Sequence, residues 1–144
     1  MKRLVTVISG FALVAGLGTA ATVDVYAATK APAKATIVIR HQVRGCHSWS
    51  LNGGTYKVAL TARIARGGTI TFTDNDMMPH KLIQKAGPAV RYIGGAAMKH
   101  MSASVKVSFP KAGVYRFYTR AGEDYMPLKT IGEDNVLQLT VTVS

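Results

Sequence analysis

The chain of 144 residues leaves room for one domain of ordinary size, and its 18 Lys and Arg residues against 7 Asp and Glu residues give a formal net charge of +11. Such a charge favours encounters with acidic proteins, anionic lipid head groups or cell-wall polymers, and it also serves solubility alone. The cations are scattered singly, which argues against a nucleic-acid-binding protein.

The first 27 residues have the pattern of a secretory signal peptide. Lys2 and Arg3 precede an apolar run, and the small residues around Ala27 indicate cleavage after that position. The alternative is a retained membrane anchor, which is disfavoured because glycines dilute a run that is short for a full span. We therefore predict an exported protein, periplasmic or extracellular, with residues 28–35 as a linker and residues 36–144 as the folded domain.

After the linker, short β-branched segments alternate with turn signals. We predict strands at TIVIRHQV (36–43), YKVALTARI (56–64), GTITFTD (68–74), HKLIQ (80–84), SASVKVSF (102–109), GVYRFYT (113–119) and VLQLTVTV (136–143). RGCHSWSLNGG (44–54) is predicted as a loop, and YIGGAAMKHM (92–101) has room for one helical turn. This pattern of close strands separated by turns predicts an all-β sandwich.

The chain contains one cysteine, Cys46. Exported proteins normally use cysteines in pairs as disulfides, so a lone thiol needs an explanation. It is buried and inert, paired between chains, or held as a thiolate by a metal. Composition alone does not choose among these three states.

The order of motifs resembles a known family. GGTITFTDNDMMPHKL (67–82), then a variable loop, VSFPKAGVYRFYT (107–119) and LQLTVTV (137–143) are similar to the cupredoxins, the small blue copper proteins. The resemblance covers residues 36–144 and implies a cupredoxin-like Greek-key β-sandwich of about seven to eight strands. It also implies that His80, which follows Pro79 after a strand and a polar turn, is the first copper ligand.

The second ligand loop of the family is altered in this chain. Thr119 stands where the family has its cysteine, and TRAGEDYMP (119–127) contains no histidine. Only Met126 remains, near the position of the family's axial ligand. A standard blue copper site is therefore impossible with this loop.

A different loop supplies the missing ligand types. In the cupredoxin topology the loop after the first strand lies at the copper end of the sandwich, and here it contains Cys46 and His47. The resemblance therefore implies a mononuclear copper site formed by Cys46, His47 and His80, with Met126 as a long axial thioether. One thiolate and two imidazoles are the ligand set of a trigonal copper site.

Two alternatives remain open at the sequence level. Adjacent side chains on a strand point to opposite faces, so Cys46 and His47 reach one metal only if the chain turns or bulges near Gly45. Otherwise His41, on the preceding strand, replaces His47. MKHM (98–101) also has ligand types suited to Cu(I), but its place in a variable loop favours an exposed, non-coordinating stretch.

These implications give three functional hypotheses. The first is an exported, monomeric, non-enzymatic copper protein that transfers electrons and meets an acidic redox partner protein. The second is a copper carrier or scavenger without redox traffic, and the third is a metal-free binding module that keeps the fold. We expect no nucleic-acid partner, and a membrane surface is possible but not predicted.

Overall fold

The computed structural model describes residues 29–41, 47–121 and 136–144. Within these ranges, ten strands form two five-stranded sheets and there is no helix. The prediction of an all-β sandwich is confirmed, with more strands than the seven or eight expected. No helix of membrane-spanning length and apolarity occurs in these ranges.

The strands follow one another at short intervals. They are β1 (Lys34–His41), β2 (His47–Leu51), β3 (Ala59–Ile64), β4 (Thr69–Asn75), β5 (His80–Ala86), β6 (Arg91–Ile93), β7 (Ala97–Met98), β8 (Ser104–Ser108), β9 (Gly113–Arg120) and β10 (Gln138–Val143). β1 begins inside the segment predicted as a linker. The domain boundaries themselves, with the signal peptide at residues 1–27, stay predictions.

The two sheets are mixed and the chain passes repeatedly between them. The first sheet has the order β2-β1-β4-β8-β6 and the second the order β3-β10-β9-β5-β7. β1 and β4 are parallel, as are β3 and β10, and the other pairs are antiparallel. In β1, β4, β8, β9 and β10 alternate residues are buried and contribute to the core between the sheets, which is the pattern of a sandwich.

One strand was predicted as a loop. β2, with the sequence HSWSL, pairs with β1 so that Trp49 lies opposite Ile39, and its first four residues are buried. Serine and histidine are poor strand signals, and tertiary packing decides this segment: Trp49 is fully buried in the core. The prediction of a loop over residues 44–54 is therefore wrong for residues 47–51.

The segment predicted to have room for a helical turn contains β6 and β7. Gly94 and Gly95 lie between these strands and have φ angles of 87° and 95°, which reverse the chain in a conformation that glycine tolerates best. β6 pairs with β8 in the first sheet, whereas β7 pairs with β5 in the second. The chain therefore crosses between the sheets here instead of forming a helix.

One end of the sandwich, which we call the hairpin pole, is formed by residues 65–68 and 109–113. The N–H of Gly67 donates to the carbonyl of Phe109 at 2.7 Å, and the N–H of Phe109 donates to the carbonyl of Gly68 at 3.0 Å. The ring of Phe109 packs edge-on against Tyr115 with a centroid distance of 5.1 Å. Backbone hydrogen bonds and aromatic packing thus close this pole.

Candidate metal centre

The opposite end of the sandwich, which we call the histidine pole, is where β1 and β4 end and where β2 and β5 begin. The parallel pairing of β1 with β4 sets Arg40 beside Asn75, and the antiparallel pairing of β1 with β2 sets His41 opposite His47. β5 starts at His80 after a short turn from β4. Strand ends from both sheets therefore bring three of the four histidines to one place.

Asp76 lies at the centre of the histidine pole and is fully buried. Its Oδ2 atom is 2.7 Å from Nδ1 of His47 and 3.4 Å from Nε2 of His80. The imidazoles of His47 and His80 are also buried, and their rings meet at right angles with centroids 4.7 Å apart. Two imidazoles and one carboxylate therefore form a compact, buried polar cluster at one end of the hydrophobic core.

The turn between β4 and β5 fixes the position of this carboxylate. The N–H of Asp76 donates to Oδ1 of Asp74 at 2.9 Å, and the N–H of Met78 donates to Oδ1 of Asp76 at 3.2 Å. Aspartate side chains that bind the backbone two residues further on stabilise tight turns of this kind. The DNDMM sequence thus sets one carboxylate oxygen in the turn and directs the other at the histidines.

The charge state of Asp76 follows from its contacts. Burial by itself would raise the pKa of Asp76, but the hydrogen bond from His47, with smaller contributions from the Met78 N–H and His80, lowers it below the ordinary value of 3.8. An ionised carboxylate only accepts hydrogen bonds, so Nδ1 of His47 carries the hydrogen it donates. The second nitrogen of each ring, Nε2 of His47 and Nδ1 of His80, is then the one through which a neutral imidazole would bind a metal.

The pKa of Asp74 is shifted in the opposite direction. Burial raises the pKa of Asp74 to about 6, although the N–H of Asp76 donates a hydrogen bond to it. The nearby charge of Asp76 also raises the pKa of Asp74. The two carboxyl groups of one short turn therefore have distinct environments, with Asp76 held as the anion.

His41 lies at the rim of the cluster. Its side chain is 51% exposed, and its Nδ1 atom is 3.8 Å from Oδ1 of Asp76. One ligand atom each from His41, His47 and Asp76 lie within 4.8 Å of one another, a spacing that suits three ligands of one metal ion. The cluster thus has a buried interior and one solvent-accessible imidazole.

Apolar side chains line the interior next to the histidines. The pairing of β5 with β7 sets Met98 directly opposite His80, and Met98 is fully buried, as is Trp49 two residues after His47. The expectation that residues 98–101 are exposed is therefore wrong for Met98, although His100 and Met101 are exposed. A buried thioether and a buried indole therefore lie close to the two histidines along the strands.

Two of the four predicted ligands can be located. His47 and His80 lie within the described residues and are brought together, whereas Cys46 and Met126 lie outside them. The sequence around Asp76 indicates only a polar turn and does not reveal the place of this carboxylate at the centre of the cluster. Two aspartates spaced two residues apart, just before the Pro-His motif of a strongly basic chain, are the signal that could have identified it.

No protein-family model and no curated protein matches the chain. Among solved structures it is similar to the purple cupredoxin of Nitrosopumilus maritimus, with 22% identity over 76% of this chain and 98% of that one, at a TM-score of 0.43. It is also similar to an oxidised amicyanin mutant, with 19% identity over 76% and 82% of the two chains and a TM-score of 0.40. At this degree of similarity, the chemistry of the site rests on its own side chains.

Proposed function

We propose that this chain is an exported copper-binding protein that transfers electrons through a mononuclear site at the histidine pole. The observation that carries the proposal is the pair of buried, perpendicular imidazoles of His47 and His80 around the ionised Asp76. Imidazole suits copper, and Cu²⁺ binds nitrogen and oxygen donors more tightly than the other divalent first-row metals do. The two imidazoles therefore fit copper as ligands.

Cys46 is the third ligand in this proposal. It precedes His47 in the chain, so its Cα atom is only about 3.8 Å from that of His47. A thiolate from this position would complete the Cys-His-His set, and metal ligation would explain why a lone thiol persists in an exported protein. Met126 would supply a further sulfur ligand.

Asp76 would act as an orienting residue for the two imidazoles. Histidines that bind metals usually donate their second ring N–H to a carboxylate, which fixes the tautomer and makes the ring a better donor. The 2.7 Å contact with His47 has this form. Bound copper would supply a centre that changes between Cu(I) and Cu(II), while the buried Trp49 and Met98 keep water away.

A titration with Cu(II), with Cys46 kept reduced, tests the proposal. We expect one equivalent to bind, to protect Cys46 from thiol reagents and to raise the melting temperature, because a ligand of the folded state stabilises it by mass action. His80→Ala should weaken binding at least about 100-fold, beyond the loss typical of orienting residues. Cys46→Ser should abolish any intense thiolate-to-copper absorption while leaving weak binding.

His100→Ala provides the matched control. His100 is exposed, and its Nδ1 atom lies 2.9 Å from the backbone carbonyl of Met101. Its removal should change copper affinity by less than about twofold. An equal loss in the two histidine variants, or free reactivity of Cys46 in excess copper, would leave the metal-free binding module as the better description.

The exposure of His41 favours a second candidate, a copper carrier without redox traffic. An accessible imidazole 3.8 Å from Asp76 offers an incoming or departing ion a first ligand at the rim. In a carrier, His41→Ala should slow copper transfer to a chelator about tenfold and leave electron exchange with an acidic redox protein unchanged. Fast, salt-sensitive electron exchange would support the electron-transfer role instead.

A further inference from the structure

The outward face of the second sheet carries cations, an aromatic ring and a groove of about 730 Å³. The groove lies over β5, β9 and β10. The side chains used below are Lys85, Arg116, Tyr118 and Ile83, and all four line it. We call this surface the sheet groove.

The strand register places these side chains side by side across the sheet. Tyr118 on β9 lies between Ile83 of β5 and Gln138 of β10, so an aromatic and an aliphatic side chain are neighbours at the centre of the groove. Arg116 lies two residues before Tyr118 on the same face, opposite Ala86, and Arg120 lies two residues after it. Since same-face residues of a strand are about 6.8 Å apart, the two arginines are separated by about 14 Å with Tyr118 between them.

The charged side chains on the described surface are all cations. Every Lys and Arg side chain among the described residues is exposed, whereas both described acidic side chains, Asp74 and Asp76, are fully buried at the histidine pole. The other five acidic residues lie outside the described ranges. Arg116, Arg120 and Lys85 therefore have no carboxylate of the described residues within ion-pair distance.

We propose that the sheet groove binds an extended acidic segment of a partner protein. Carboxylates along such a segment would pair with Arg116, Lys85 and Arg120, and the chain between them would pack on Tyr118 and Ile83. A groove suits an extended peptide, whereas a flat lipid surface cannot enter it. Arginine binds carboxylates through two parallel hydrogen bonds, which gives this surface selectivity as well as charge.

Peptide binding in the sheet groove does not depend on the copper site, although the groove and the site are neighbours. Lys81, which follows His80 in β5, lies opposite Arg120 on β9, at the end of this face that is nearest to the histidine pole. A segment bound in the sheet groove would thus end next to the strand that carries a proposed copper ligand. Peptide binding is measured without metal, so its failure does not bear on copper binding.

The test is the binding of a fluorescent octaglutamate peptide to the purified metal-free protein at low ionic strength. The double variant Arg116→Glu/Lys85→Glu should weaken binding at least about tenfold, and Tyr118→Ala about threefold. The matched control is Arg91→Glu/Lys106→Glu, which makes the same charge change on the outward face of the first sheet, where both residues are exposed. This control should weaken binding less than about threefold.

Three outcomes would overturn the proposal. Equal weakening by the two double variants would mean that total charge, and not the sheet groove, binds the peptide. Undetectable peptide binding would remove the site altogether. Binding to vesicles containing anionic phosphatidylglycerol without binding to the peptide would assign the charge to a membrane surface, and circular dichroism of each variant checks that the fold is intact.

Discussion

At the hairpin pole the backbone closes the sandwich through hydrogen bonds between Phe109 and the glycines at 67 and 68. At the histidine pole, by contrast, side chains from distant strands meet around Asp76. Backbone N–H and C=O groups form hydrogen bonds with one another whatever the side chains are. The side chains at the hairpin pole therefore contribute to its stability mainly through packing. A buried carboxylate needs particular partners, because an unpaired buried charge is costly. The hairpin pole is therefore built for stability, whereas the chemistry of the histidine pole suits a ligand.

The largest expected effect is at the hairpin pole. Phe109 is fully buried and packs edge-on against Tyr115 and Phe117. Phe109→Ala should lower the free energy of unfolding by about 3–5 kcal/mol, because it removes buried contacts and leaves a cavity. Urea unfolding measures this loss. Copper affinity should change less than about twofold, and a parallel loss of affinity would show that the two poles are coupled.

The next largest effect is a dependence of the free energy of unfolding on pH, which arises at the histidine pole. The pKa of Asp74 is about 6 in the folded protein against an ordinary value of 3.8, so the folded state binds more protons than the unfolded state between these values. The free energy of unfolding should therefore fall as the pH rises from about 4 to about 6. Asp74→Asn removes this contribution.

The variant Asp74→Asn should gain stability relative to the wild type by up to about 3 kcal/mol between pH 4 and pH 7. Asparagine keeps the Oδ1 acceptor for the Asp76 N–H, so the turn is preserved. Denaturant unfolding of the two metal-free proteins across this pH range gives the difference. A difference that stays constant with pH would contradict the expected titration of Asp74.

A third prediction concerns Asp76, the carboxylate at the centre of the histidine pole. Asp76→Asn should weaken copper binding about 10–100-fold, the range observed when the carboxylate partner of a metal-binding histidine is removed. Isothermal titration with Cu(II) measures the change. Asn75→Ala, at the exposed neighbouring position, is the control and should bind like the wild type. Unaltered affinity in Asp76→Asn would remove the orienting role of Asp76.

The smallest effect is expected on the outside of the histidine pole. The guanidinium of Arg40 lies 3.6 Å from the centre of the Tyr56 ring, and both side chains are outside the polar cluster. Arg40→Gln should cost only about 0.5–1 kcal/mol of stability, as for exposed cation–π pairs. Thermal unfolding measures it. A loss of copper affinity in this variant would extend the site beyond the buried cluster.

Local sequence patterns predicted most of the fold because its strands follow simple alternation. GTITFTD and GVYRFYT carry β-branched and aromatic residues on alternate positions, and β4 and β9 lie within one residue of the predicted bounds. β2 was missed because its stability comes from burying Trp49 against β1, which no local pattern reveals. Two- and three-residue strands such as β7 and β6 are similarly decided by tertiary pairing.

The candidate site was only partly predictable for a related reason. The Pro-His motif after a strand identified His80 from sequence neighbours alone. Asp76 and His47 are 29 residues apart, and their contact depends on the register of β1 with β2 and β4. A turn-forming aspartate and a site aspartate have the same local sequence, so three-dimensional placement was needed to distinguish them.

The edges of the two sheets have a consequence for self-association. Among the strands that the structure describes, three of the four at sheet edges are short or blocked: β7 has two residues, β6 has three, and the backbone of Trp49 on β2 already exchanges hydrogen bonds with Lys57. The fourth, β3, carries the exposed Arg63. Long unpaired edges are where β-proteins join into fibrils, and short or charged edges prevent it. Concentrated solutions of the folded protein should therefore resist growth of cross-β polymers.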